Sequence, residues 1–205
     1  MGKKKRLILI GLALCVLTAL FLVMRSSSFY DRSNPRNRPN SYLTQVSVEI
    51  NKPVHDVYLF VKYRKPEVYS QLSDMHNQFK IINAEGLTEG AIVECIEGDE
   101  EDIVHHRYIV RKDIEDTLIY YDSTPSIIYD TETNKKIGEC NTHVYYDFIR
   151  LDGHRTLLNQ TIIIDMLNPL YKTIGDIIGW MSGDKEKWTV QFQEELEALK
   201  RCIEK

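Results

Sequence analysis

Several kinds of chemistry have no residues here to carry them. The chain holds four cysteines, Cys15, Cys95, Cys140 and Cys202. None sits in a C-x-x-C pair or at Cys/His ligand spacing, which argues against a structural zinc site. A Cys95–Cys140 disulfide is one arrangement open to the last three; separate buried thiols are the other. His55, His76, His143 and His154 show no ligand spacing either, so no metal is expected. There is no Ser/His/Asp order, nucleophile elbow, phosphate loop or dinucleotide glycine pattern, so no cofactor and no covalent catalysis is expected. Positive charge is scarce where nucleic acid would need it. Of 26 basic and 30 acidic residues, positions 1–42 hold eight and one, which leaves 18 and 29 for positions 43–205. A domain that acidic lacks the clustered cations that displace counterions, and nucleic acid is excluded as a partner.

What the first 42 residues do have is an address. Lys3-Lys4-Lys5-Arg6 forms a basic tail over residues 1–6, and residues 7–24 then run without a charge. As a helix rising about 1.5 Å per residue, that run is roughly 27 Å long, close to the hydrocarbon thickness of a bilayer. A cleaved signal peptide is the competing reading, but Leu22-Val23-Met24-Arg25 offers no small-x-small cleavage site. Leu14 before Cys15 speaks against a lipoprotein, and Arg6 against N-myristoylation. The expectation is a single-pass membrane anchor. The tight basic cluster before it places the amino terminus in the cytoplasm and the domain on the non-cytoplasmic side. Residues 25–42, with Ser, Asn, Pro and Arg and no apolar period, read as a flexible linker with a reach of roughly 25 Å.

Residues 43–205 read as one α+β domain. At 43% apolar content there is enough chain for a sizeable core. Thr44–Ile50 alternates as a half-buried strand, and Asn51-Lys52-Pro53 breaks it before a short helix carrying Val54, Val57, Tyr58 and Val61. Arg64–His76 reads as a second short helix or loop. Six strands follow, over 79–84, 91–97, 103–112, 117–123, 138–150 and 155–166, separated by turn chemistry such as Glu97-Gly98-Asp99 and Leu151-Asp152-Gly153. The end of the chain is helical. Asn168-Pro169 opens it, Leu170, Ile174, Ile177, Ile178 and Met181 recur at helical spacing, and Gly183 interrupts. Trp188, Phe192, Leu196, Leu199 and Ile203 then resume one apolar stripe, with Glu194, Glu195 and Glu197 opposite. Such a stripe needs an apolar partner, and an antiparallel meander of about seven strands supplies it.

This order resembles the START-like helix-grip superfamily, which includes polyketide cyclase/dehydratase-like and plant allergen-like lipid-binding proteins. Three places carry the resemblance: the strand, proline and helix of Val48-Glu49-Ile50-Asn51-Lys52-Pro53-Val54-His55-Asp56-Val57-Tyr58-Leu59-Phe60-Val61; the glycine turn Gly153-His154-Arg155-Thr156-Leu157-Leu158; and the closing helix over 188–204. It spans about four-fifths of the chain. The tract Pro66–Phe79 lacks the tryptophan often found there in the family. The resemblance implies a curved sheet wrapped around the terminal helix, with a hydrophobic cavity between them. It further implies a hydrophobic small molecule or lipid as partner, or cyclase/dehydratase chemistry; a protein-binding module with a filled core is a third possibility.

Candidate cavity residues follow from strand parity. Val104, His106, Tyr108 and Val110 share a face, and if it is the inner one, His106 can orient a ligand or act as a base near neutral pH. A strand-end histidine bonded to its neighbours is the plainer alternative. Tyr120, Tyr146 and Phe148, with Gln160, Ile162 and Ile164, read as inward too. Tyrosine combines an apolar wall with a polar tip, which suits an amphipathic ligand. Trp188 and Trp180 flank the Gly183 break; if the helix opens there they could gate a cavity entrance or touch a membrane surface, and core and rim packing is the plainer alternative. Glu97 to Asp102 and Glu194 to Glu197 read as solvated surface.

Overall fold

The computed structural model describes residues 15, 16, 18, 36, 41–100, 102–123, 125–166 and 184–205. The first strand, β1 (Ser41–Ile50), is followed by helices α1 (Val54–Lys62) and α2 (Pro66–Tyr69). Seven strands come next: β2 (His76–Ile81), β3 (Ile92–Gly98), β4 (Asp102–Ile114), β5 (Leu118–Ser123), β6 (Ser126–Asp130), β7 (Lys136–Arg150) and β8 (Thr156–Met166). The closing helix α3 (Asp184–Ile203) ends the chain. Every pairing is antiparallel, in the order β1-β8-β7-β5-β4-β3-β2, with β6 paired to β4 and β7. The meander is therefore the expected one, with one strand more than the alternation of the sequence announces.

The additional strand explains the shape of the middle of the sheet. β5 and β6 lie end to end in a single lane: β5 pairs with the later part of β4 (Tyr108–Ile114), and β6 with its earlier part (Asp102–His105). Proline at 125 breaks the lane, since it has no N–H to give to a ladder. Ser126–Asp130 is short, without period-two alternation, and so carries little sequence signal of its own.

Local sequence accounts for the helices that close one side. Pro53 precedes α1, whose buried face is Val54, Val57, Tyr58 and Val61. At its last turn Lys62 Nζ donates to Asp113 Oδ2 (2.6 Å) and to the Tyr58 hydroxyl (2.9 Å), which ties the helix to β4. Pro66 then holds Lys65 extended, at φ −81° and ψ 154°, and starts α2 at once. The sharp turn carries Arg64 inward. Leu196, Ala198, Leu199 and Ile203 of α3 are buried in the same core as Val46, Val48 and Ile50 of β1, Val93 of β3 and Leu158 of β8. The helix-against-sheet arrangement is thus present for the half of the closing helix that is described. Its expected earlier half, from Asn168 through Met181 and including Trp180, lies outside the described residues.

The stripe on α3 differs from expectation at two positions. Trp188 is 45% exposed, so it is a surface residue and not part of the core stripe. Glu195, expected on the solvent face, is buried at 7% exposure. Helical geometry accounts for Glu195, which shares one face with 192, 196, 199 and 203. Trp188 lies on that same face but in the early part of the helix, where residues 187–190 are all exposed.

At the amino end, no helix among the described residues is long and apolar enough to cross a membrane. Almost all of the expected anchor over 7–24 lies outside the described residues. β1 begins at Ser41, inside the stretch expected to be linker. Arg36, also in that stretch, is held on the outer face of the sheet. Its guanidinium pairs bidentately with Asp147 at 2.5 and 2.6 Å and lies 4.2 Å from the centre of the Tyr145 ring. Cys95, Cys140 and Cys202 are free thiols, the first two buried.

Candidate functional site

The lane break between β5 and β6 falls beside His106. Register on β4 places His105 opposite Ile127 and Tyr108 opposite Ser123, so His106 faces the gap. There its Nδ1 lies 2.7 Å from Ser126 Oγ. Ser126 donates in turn to Ser123 Oγ (2.8 Å), which also accepts the Thr142 backbone N–H (2.8 Å). With its own proton spent on Ser123, Ser126 accepts from Nδ1–H of the imidazole. That turns Nε2 toward Glu97, whose Oε2 is 3.4 Å away. His106 also stacks on Tyr108 with ring centres 5.1 Å apart.

The charge run around Glu97 predicts a solvated loop, and the structure places this residue on the inner side instead. Its position continues the alternation of Ala91, Val93 and Cys95, which are all buried. Gly98 follows at φ +142°, and a Cβ there would collide with the Asp102 backbone, so the chain turns at once after the carboxylate. The Tyr69 hydroxyl donates to Glu97 Oε1. Burial alone would raise this carboxyl; the charge and hydrogen bond of His106, with help from His76 and Tyr69, outweigh it and hold it at about 2.

A second acid enters from the helix. Glu195 Oε2 lies 3.6 Å from His76 Nε2, and Gln191 donates to Glu195 Oε1 at 3.1 Å. Burial pushes this carboxyl up to about 7. His76 gains a Tyr69 backbone oxygen 3.0 Å from Nδ1 and a stacked Tyr69 ring 4.0 Å away; burial nevertheless lowers its pKa. The two acids, side by side in one interior, are driven in opposite directions by their surroundings. Acid–base sites use such divergence between neighbouring carboxyls.

Arg64 completes the interior. It is 4% exposed. One Nη donates to the Tyr146 hydroxyl at 3.3 Å, and the rings of Phe79, Tyr69 and Tyr146 lie 5.0, 5.6 and 5.7 Å from its Cζ. Gln160 Nε2 donates to the same Tyr146 oxygen at 3.2 Å, which satisfies the buried amide.

Of the residues singled out from sequence, His106, Tyr108, Tyr146, Phe148, Gln160 and Ile162 are buried in this interior, and Ile164 is partly buried against the same core. Tyr120 is on the other face. It is half-buried, stacks on Tyr145 at 4.2 Å, and its hydroxyl lies 3.0 Å from His143 Nδ1. Tyr121 takes the inward place, 5.0 Å from Tyr108. Two adjacent tyrosines leave parity ambiguous, and a one-residue slip exchanges the faces; the bulge on β4 between Val110 and Lys112 hides the register. Trp188 lies outside the site. Arg64, Tyr69, His76, Glu97 and Glu195 are site residues that the sequence does not single out. Strand parity marks Glu97, and helical spacing from Phe192 and Leu199 marks Glu195. Nothing in Lys62-Tyr63-Arg64-Lys65 separates Arg64 from its surface neighbours.

A cluster with ligand types that could take a metal ion occurs on the surface, where His55, Glu115 and Asp116 place their ligand atoms within 4.8 Å of one another. His55 Nδ1 is already 2.9 Å from Asp116 Oδ1, which accounts for it as a surface hydrogen-bond contact at a turn.

Comparison with solved structures gives the architecture its class. A conserved protein from Geobacillus kaustophilus superposes with a TM-score of 0.52 at 9% identity, over 79% of this chain and 95% of its own. Ara h 8.0201 superposes at 0.50 with 11% identity, over 80% of this chain and 97% of its own. The di-domain ARO/CYC StfQ from the steffimycin biosynthetic pathway superposes at 0.50 with 15% identity, over 78% of this chain and 44% of its own. No family model matches the sequence, and no curated protein does. The likeness gives the fold: a curved antiparallel sheet with a C-terminal helix, the helix-grip arrangement.

Proposed function

We propose that this chain is a START-like domain that holds an amphipathic small molecule between its sheet and closing helix, and that residues 7–24 tether it to a membrane with the domain on the non-cytoplasmic side. One observation carries the ligand reading. Glu97 is ionised and set deep among His106, Tyr69 and His76, yet a third of its side-chain surface (33%) is reachable by solvent. A carboxylate held by its partners on one side and open to solvent on the other is a group that the polar end of a ligand can meet. Tyr108, Tyr121, Tyr146 and Phe148 are buried in the same core and supply apolar rings, three of them with polar tips. The charged groups favour a ligand with a polar head over a purely hydrocarbon one. Native mass spectrometry of the full chain released from mild detergent tests this: a bound mass, or uptake of a fluorescent amphiphile, is expected. A chain that emerges bare and takes up nothing defeats it.

An acid–base enzyme of the cyclase/dehydratase type is the second reading, favoured by the Ser126–His106–Glu97–Tyr69 chain of contacts. Ser126 and Glu97 take the two ring nitrogens of His106, and Tyr69 continues the chain beyond Glu97, so the four groups form a path along which a proton can pass to or from a ligand. On this reading His106→Gln abolishes turnover while a bound ligand is still detected. Unchanged turnover removes it.

A further inference from the structure

Arg64 is a buried cation. Among the described residues no carboxylate lies within ion-pair distance of it, its Nε has no hydrogen-bond partner, and its one hydrogen bond is the long one to the Tyr146 hydroxyl. Both acids of the interior are engaged elsewhere: Glu97 with Tyr69 and His106, Glu195 with Gln191 and His76. A guanidinium offers five N–H donors in one plane, so most of its capacity here is unused. Leaving a charge uncompensated in the interior is expensive, and the three rings around Cζ offset only part of that cost. We propose that Arg64 is the recognition point for the carboxylate head of an organic acid, whose apolar body lies against Tyr108, Tyr121 and Phe148. This rests on the reading of the domain as a ligand carrier, and narrows it from amphipathic molecules at large to anionic ones.

The surroundings fit a carboxylate better than a neutral polar head. The planar fork of arginine matches two carboxylate oxygens at once, and the Tyr146 hydroxyl and Gln160 amide sit beside it as further polar groups. The aromatic residues about Arg64 exclude water, which strengthens such a pair relative to one at the surface. Nothing comparable is offered to a cationic head: the Glu97 oxygens already have a tyrosine and a histidine.

The test uses the full chain in nanodiscs, with empty nanodiscs as blank, and titration calorimetry with two pairs of probes, naphthoate against naphthamide and decanoate against decanamide. Each acid is expected to bind roughly ten- to a hundred-fold more tightly than its amide, the worth of one charged hydrogen-bonded pair. In Arg64→Met that preference collapses to about one-fold while amide binding is kept. Arg64→Gln serves the same purpose should the methionine variant not fold. Amides that bind wild type as tightly as acids overturn the anion proposal and leave the carrier reading standing. An acid preference that survives loss of Arg64 also overturns it, because the anion is then held elsewhere. Failure of all four probes to bind wild type overturns both.

Discussion

Replacing Glu195 by glutamine keeps its shape and its hydrogen bond with Gln191 while removing a titration. The carboxyl sits at about 7 in the fold against an ordinary 4.5, and burial is the first cause. The folded chain therefore keeps a proton that the unfolded chain has already released, so stability falls as pH rises between the two values. The contribution is complete below 4.5 and is lost as pH climbs through 7. At 1.36 kcal/mol for each tenfold step, the loss comes to about 3 kcal/mol. In a chain of this size that is a change in Tm of roughly 6–12 °C. His76, 3.6 Å away, works in the opposite sense. Burial lowers its pKa, so its contribution is present above the ordinary 6.5 and lost as pH falls through its folded value. Because His76 is in both proteins, subtracting wild type from E195Q at each pH removes most of its effect. Gln191, Ser73, Glu97 and Arg64 are the other groups that act on Glu195, and they too are common to both. Urea unfolding of the full chain in nonionic detergent, followed by tyrosine and tryptophan fluorescence at pH 5 and pH 8, measures the difference. E195Q should gain on wild type by about 2.5 kcal/mol between those conditions, since part of the loss has already occurred at pH 5. A difference that does not change with pH refutes the burial argument. A difference of reversed sign shows that Glu195 is held as the charged partner of a protonated His76.

The remaining predictions address the lane break, the core and the outer face. Ser126→Ala removes the acceptor for His106 Nδ1 and should destabilise by roughly 1–3 kcal/mol, because a buried imidazole N–H is left unpaired; imidazole nitrogen NMR should show the tautomer no longer fixed. Leu199→Ala, at 1% exposure and against the sheet, should cost about 2–5 kcal/mol in the same urea assay; a cost under about 1 kcal/mol means α3 is not clasped as described. A double-mutant cycle on Arg36 and Asp147 should give a coupling of about 1 kcal/mol, since both side chains keep about a quarter of their exposure.

Legibility of the fold follows apolar periodicity. Leu196, Leu199 and Ile203, and most strands from β3 to β8, repeat at the spacing their faces demand, and short turns between strands leave antiparallel pairing as the economical arrangement. β6 is the exception, because proline at 125 and a five-residue length give no period to count. The site is half legible. His106, Tyr146 and Gln160 fall on faces already marked by their apolar neighbours. Glu97 and Glu195 fall on the same faces, and their charge argues them outward; only tertiary partners make an inward carboxylate tolerable. Tyr120 and Tyr121 show the limit of parity, since adjacent residues of one type carry equal signals for both faces. Arg64 depends on a connector bent by Pro66, and a bend of that kind leaves no mark in the hydrophobic pattern.

The separation of Arg64 from Glu97 bears on which function the interior serves. Had the two paired, the cation would be a structural element with its charge compensated. Instead Glu97 is taken by Tyr69 and His106, and Arg64 is left among aromatic rings. Glutamine at position 97 distinguishes the consequences. If Glu97 serves only to keep His106 oriented, Glu97→Gln retains a hydrogen-bond acceptor for Tyr69 and ligand affinity changes little. If its negative charge is what confines an anionic ligand to Arg64, the same substitution strengthens acid binding. Calorimetry with naphthoate on Glu97→Gln and on Glu97→Gln/Arg64→Met decides between them. Restored acid binding in the double variant, above that of Arg64→Met alone, shows that Glu97 repels the head group; no restoration confines it to the histidine.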